Sequence, residues 1–143
     1  MTRVVLAALA VAVTVACAPE PQTLHVQRFT ESSAVSRFEP LDRTITDPAV
    51  VRQLYDAVLA LPPKPPGDYF CPISFGLRYR LTFAAGPKAT RVVILEGDGC
   101  RVAHLDALTE RATTESFWAE LAGALGLYTR GNDLFPLPSD LAR

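Results

Sequence analysis

The stretch that decides the fold class is Ile73-Ser74-Phe75-Gly76-Leu77-Arg78-Tyr79-Arg80-Leu81-Thr82-Phe83-Ala84. Ile73, Phe75, Leu77, Tyr79, Leu81 and Phe83 fall on one side. Ser74, Gly76, Arg78, Arg80, Thr82 and Ala84 fall on the other. A period of two over this length predicts a strand with one face on a core and the other toward water, the signature of an antiparallel sheet. Ala85-Gly86-Pro87-Lys88 then reads as a turn, and Arg91-Val92-Val93-Ile94-Leu95 as a more fully apolar, central strand. Glu96-Gly97-Asp98-Gly99 supplies a second tight turn, and Cys100–Leu105 a third strand of a meander.

Upstream, Leu24–Thr30 alternates apolar and polar and predicts a first strand. Phe38–Thr46 is a second extended segment, with Pro40 suited to an edge. Asp47-Pro48 is a helix start, with Asp as cap and proline in the first turn. Val50, Val51, Leu54, Val58 and Leu61 recur at helical spacing until Pro62-Pro63 stops them. Pro62–Gly67 is expected to be a stiff, exposed loop of polyproline character. Downstream, Thr114–Leu125 predicts a second helix with Phe117, Trp118, Leu121 and Leu125 inward and Gly126 as its C-terminal cap. The expectation is a single α+β domain over residues 24–135, with a loosely held tail at 136–143. It has a small antiparallel sheet of four to five strands, two helices packed on one face and one disulfide.

Composition fits this picture. The chain has 143 residues, 49% hydrophobic and 20% charged, with a formal net charge of −1. A near-neutral domain has no general field for nucleic acid, and that partner class is set aside. All basic side chains but Lys64 and Lys88 are arginine, which suits the coding bias of a GC-rich genome.

The first residues have the parts of an export signal in order. Arg3 gives a short positive region, and Val4–Val15 is apolar except for Thr14. That run falls short of the ~20 residues that cross a bilayer as a helix. It ends in Thr14-Val15-Ala16-Cys17, which resembles the lipobox of bacterial lipoproteins, with Thr14 where Leu is usual. The resemblance implies removal of residues 1–16, a diacylglycerol on the Cys17 sulfur and acylation of the new amine, palmitate among the acyl groups. It places the protein on the extracytoplasmic face of the cell membrane, tethered by lipid. Residues 17–23 then read as the acylated cysteine and a short polar, proline-rich spacer. The rival outcome, plain secretion by cleavage after Ala18, would leave Pro19 directly after the cut, where proline is poorly accepted.

Three cysteines are an odd number for an exported protein. With Cys17 acylated, Cys71 and Cys100 remain as one pair, in a compartment where disulfides persist. The meander brings both to the same end of the sheet. A redox role would favour closer spacing, and a metal site needs more ligands. The segment Cys71-Pro72, Phe75-Gly76, Tyr79, Leu81, Phe83 and Gly99-Cys100 resembles a pattern in uncharacterised lipoproteins of GC-rich bacteria, and the matching residues are structural in kind.

Catalytic signatures are absent from the sequence: no nucleophile elbow, no zinc-protease helix, no phosphate-binding glycine loop. No cofactor, catalytic residue or metal ligand is therefore expected. His25 and His104 sit in predicted strands as surface or packed residues, and Glu96-Gly97-Asp98 is explained as a turn. The basic residues stand out instead. Arg78 and Arg80 share a face of one strand, with Arg91 and Arg101 on neighbouring strands. If the register aligns them they form a patch for anionic lipid, an envelope polymer or an acidic protein. The leading expectation is a non-enzymatic binding or scaffolding lipoprotein of the cell envelope. The alternative is a small hydrolase or ligand carrier with a site built from Asp68, Tyr79, His104 and Asp106.

Overall fold

The computed structural model describes residues 19–30, 41–67, 70–74 and 76–127. The elements are β1 (Thr23–Thr30), β2 (Leu41–Ile45), α1 (Pro48–Leu59), β3 (Leu77–Ala85), β4 (Lys88–Glu96), β5 (Val102–His104), β6 (Glu110–Ala112) and α2 (Glu115–Ala124). The strands form one antiparallel sheet of six, in the order β2-β1-β3-β4-β5-β6. Cys17 and the tail at 136–143 lie outside the described residues. Among the described residues no helix is long and apolar enough to cross a membrane.

The alternation at the centre of the chain does what its period predicts. Leu77, Tyr79, Leu81 and Phe83 are fully buried, and so are their neighbours Leu24, Val26, Val93 and Leu95. Val51, Leu54 and Val58 of α1 and Phe117, Trp118, Leu121 and Ala122 of α2 join the same core. The Tyr55 ring meets Phe83 edge-on at 5.1 Å, and Trp118 meets Tyr79 at 5.4 Å. Side chains from both helices thus rest on the buried side of β3.

Both helices start where their caps put them. The Asp47 carboxylate accepts from the backbone N–H of Ala49 and Val50, satisfying donors that the first turn leaves unmade. Thr114 Oγ1 accepts from Phe117 N in α2, and Gly126, at φ 67°, ends that helix while Leu127 N donates back to Ala122 O. The Arg43 guanidinium donates to Leu125 O, tying edge strand β2 to the C-terminus of α2.

Three differences from the sequence expectation have physical causes. The sheet has six strands, because Glu110-Arg111-Ala112 pairs with β5 and accepts the proline segment along its other edge. There Ala112 N donates to Pro62 O, and Pro63 bridges to Arg111. The strand predicted to begin at Ile73 begins at Leu77, because the chain ahead of it is recruited to the Glu96–Cys100 turn. Ser74 Oγ donates to Asp98 and accepts from Gly76 N, and Gly76 takes φ 77°. Ile73 is left 78% exposed.

The third difference is a bulge. The β3–β4 turn is two residues long, with Ala85 opposite Lys88 and Ala84 opposite Ala89, yet Phe83 lies opposite Arg91. Thr90 is the extra residue, and it shifts the rest of β4 by one position. A one-residue slip exchanges the two faces of a strand. It puts Val93 and Leu95 inward, and it takes Arg91 with them.

Candidate interaction surface on the sheet

Register decides which side chains share the face that alternates with the core. From β2 to β6 this outer face carries Asp42 and Thr44, then His25, Gln27 and Phe29, then Arg78, Arg80 and Thr82, then Val92, Ile94 and Glu96, then His104 and Glu110. Of the four arginines expected to form a patch, Arg78 and Arg80 lie together here. The Arg80 guanidinium sits over the Phe29 ring, 5.3 Å from its centroid, which orients it by cation–π attraction.

The other two arginines are elsewhere, and the four-residue patch is corrected accordingly. Arg91, opposite Phe83, lies on the core side of the sheet with its Nε buried. Without the Thr90 bulge, the turn register would set it opposite Thr82, beside Arg80. Arg101 precedes β5, in a left-handed conformation (φ 52°), and pairs with Glu115 in the first turn of α2 at 2.6 Å. Its carbonyl accepts from the Thr113 hydroxyl, which in turn accepts from Trp118 Nε1. Arg101 therefore anchors α2.

Acids flank the remaining pair on both sides. Asp42 accepts from Gln27 and shares a 2.6 Å hydrogen bond with His25, which holds its carboxyl below the usual range. On the other side a chain of polar contacts crosses three elements. Glu96 Oε1 lies 3.1 Å from His104 Nε2, His104 Nδ1 lies 3.5 Å from Glu110, and Glu110 takes a 2.8 Å ion pair from Lys64. The Lys64 hydrogen bond depresses the Glu110 carboxyl. This chain was invisible in the sequence because it needs β6 and the proline segment beside it. Among the described residues no group of three or more His, Cys, Asp or Glu is arranged to hold a metal ion.

The residues considered for hydrolysis are not assembled. Tyr79 is fully buried on the inner face, next to Trp118, and burial pushes its phenol up to about 12 against the pull of Arg28. His104 projects from the opposite face. Asp106 spends one oxygen on its own loop, accepting from Leu108 N and Thr109 N at 2.9 Å each. Asp68 lies outside the described residues. A nucleophile and base must meet within hydrogen-bond reach, and a sheet stands between Tyr79 and His104.

Cys71 and Cys100 form the expected disulfide, with Cα atoms 4.9 Å apart. At the opposite end of β3, an open hollow of about 640 Å³ is lined by Pro19, Glu20, Pro21, Gln22, Pro48, Arg52, Ala85 and Gly86. Residues 19–22, read from sequence as part of an extended spacer, lie against the domain here. Pro21 is buried, Gln22 N donates to Ala84 O at 2.8 Å, and Glu20 pairs with Arg52. Against known protein families, curated proteins and solved structures the chain gives no match, so its chemistry rests on its own side chains.

Proposed function

We propose that the chain is a lipoprotein of the bacterial cell envelope, acylated at Cys17 and held on the extracytoplasmic face of a membrane, whose domain binds rather than catalyses. The observation that carries this reading is the Cys71–Cys100 bridge. A disulfide suits an oxidising compartment, and this one uses the other two cysteines, so the third stands alone where the apolar leader ends. With both helices on one face of the sheet, the other face is available to a partner. The exposed Arg80 there offers a planar guanidinium fork to an acidic protein or an anionic envelope polymer, Arg78 on the same strand face adds positive charge beside it, and the flanking acids select against an indiscriminate polyanion.

Two measurements test the reading separately. Labelled palmitate should enter the wild-type chain and be lost in Cys17→Ser, and label that persists in the variant refutes acylation at that residue. For the surface, crosslinking of envelope partners in intact cells should weaken in the Arg78→Glu, Arg80→Glu double variant while the fold is retained. An unchanged crosslinking pattern refutes a role for the outer face.

A further inference from the structure

We infer that the end of the domain bearing Pro19, the β3–β4 turn and the start of α1 is the end apposed to the lipid bilayer, with the disulfide end pointing away. The inference rests on acylation at Cys17 and adds what that reading leaves open, the orientation of the domain and hence the surface a partner meets.

The geometry comes from the docked N-terminal segment. Pro21 is buried, Glu20 pairs with Arg52, and Gln22 continues the sheet through Ala84. These ties make residues 19–22 an extension of β1, with proline at 19 and 21 further restricting the backbone. Only two Cα–Cα steps then separate the position of Cys17 from Pro19, at most ~7.6 Å of chain. The tether is short compared with the sheet, because β3 alone runs roughly 26 Å from Ala85 to Leu77. Gly86, Pro87 and Lys88 are exposed at the near end.

At the far end, Phe70 is 98% and Ile73 is 78% exposed, on either side of bridged Cys71. Exposed apolar side chains of this kind are candidates for insertion into a bilayer. Here they lie the length of the sheet from the tether, so the anchored molecule brings them to the lipid only by lying flat. Upright, it presents them, and the strand edges beside them, to something other than its own membrane.

The test uses the full-length lipoprotein in vesicles of phosphatidylethanolamine and phosphatidylglycerol doped with a nickel-chelating lipid. A nitroxide is attached through a ketone-bearing amino acid at Lys88 or, in a second preparation, at Ile73, leaving all three cysteines untouched. Relaxation of the nitroxide by the lipid-borne nickel should be several-fold stronger at 88 than at 73. A flexible insert of about ten residues between Ala18 and Pro19 should abolish that contrast while leaving palmitate labelling intact. Equal relaxation at both positions in the uninserted protein means a flat or freely tumbling domain and overturns the inference. Stronger relaxation at 73 overturns it as well and points to apolar insertion. If the wild type carries no palmitate, the acylation reading fails and takes this one with it. Palmitate without contrast sinks the orientation alone.

Discussion

Replacing Cys71 and Cys100 together with serine opens a loop whose ends are 29 positions apart. On the chain-entropy account, a loop of that size removes roughly 3.5 kcal/mol of freedom from the unfolded chain at room temperature. The folded side of the balance should change less. Ser74 Oγ and Leu77 N still donate to Asp98 across the same gap, and Gly97 N still donates to Leu77 O at 2.8 Å. The β3–β4 ladder, which spans most of the loop, is also intact. The cost is then chiefly the regained entropy of the unfolded state, with a distinct signature in urea unfolding. The midpoint should fall by the equivalent of ~3.5 kcal/mol, and the slope should rise, because an uncrosslinked chain exposes more surface when it opens. For a domain of this size, the same loss lowers the thermal midpoint by roughly 12–18 °C. Near-ultraviolet circular dichroism, dominated by Trp118 and its contacts with Tyr79 and Phe117, should keep its folded form. A loss below about 1 kcal/mol would refute the entropic reasoning. So would an unchanged slope, or a collapsed aromatic signal at low urea.

Three further outcomes follow from the same contacts. Gly97→Ala places a Cβ 2.8 Å from Tyr79 Cε2 and 3.0 Å from Leu77, so it should cost about 1–3 kcal/mol in chemical denaturation. A neutral result would mean the turn yields. Tyr79, at about 12 when folded against an ordinary 10.0, favours its neutral form in the native state. Its contribution is therefore complete below the unfolded value and is lost as pH rises from about 10 to about 12. The phenolate absorbance of wild type minus Tyr79→Phe should show this late titration, and a difference curve centred near 10 would contradict it. In acid the sign reverses. The Asp106 carboxyl is held below its ordinary 3.8, first by the Leu108 N–H, and Glu110 below its ordinary 4.5, first by Lys64. Both stabilise the fold above those values, and the contribution is lost as pH falls through the depressed ones. The urea midpoint should thus drop less between neutral pH and about pH 3 in an Asp106→Ala, Glu110→Gln variant than in wild type. Parallel curves would dismiss the assignment.

How much of this was legible in the residues depended on whether the signal was local. The inward set Leu77, Tyr79, Leu81 and Phe83, the Asp47 cap and the Gly126 stop each rest on a handful of consecutive positions, and each is where its pattern predicts. The same pattern overran at Ile73 and Ser74, because alternation cannot report that a serine hydroxyl prefers Asp98, a partner 24 positions away. Strand β6 left no trace. Three residues, two of them charged, carry no period, and they become a strand only because β5 and Pro62-Pro63 supply ladders on both sides.

The candidate surface was the least legible part, and one residue explains most of the shortfall. Arg78 and Arg80 share a face by covalent geometry alone, since they lie two apart on one strand. Whether Arg91 joins them depends on a count across a turn, and Thr90 changes that count by one. The bulge has an evident packing rationale. Counted straight from the Ala85–Lys88 pair, β4 would turn Val92 and Ile94 toward the core, and Val93 and Leu95 outward. Both registers bury two aliphatic side chains, so hydrophobicity alone barely separates them. They differ at Glu96, which the straight register would carry inward beside Leu95's present place. As built, Glu96 meets His104 on the outer face at 3.1 Å, and the inner face ends on Arg91, opposite Phe83 and with its Nε buried. Burying an acid without a partner is costly, and the bulge spares Glu96 that burial. The choice that keeps Glu96 out of the core is therefore the one that breaks the four-arginine patch. It leaves a mixed surface on which two guanidinium groups stand between acids.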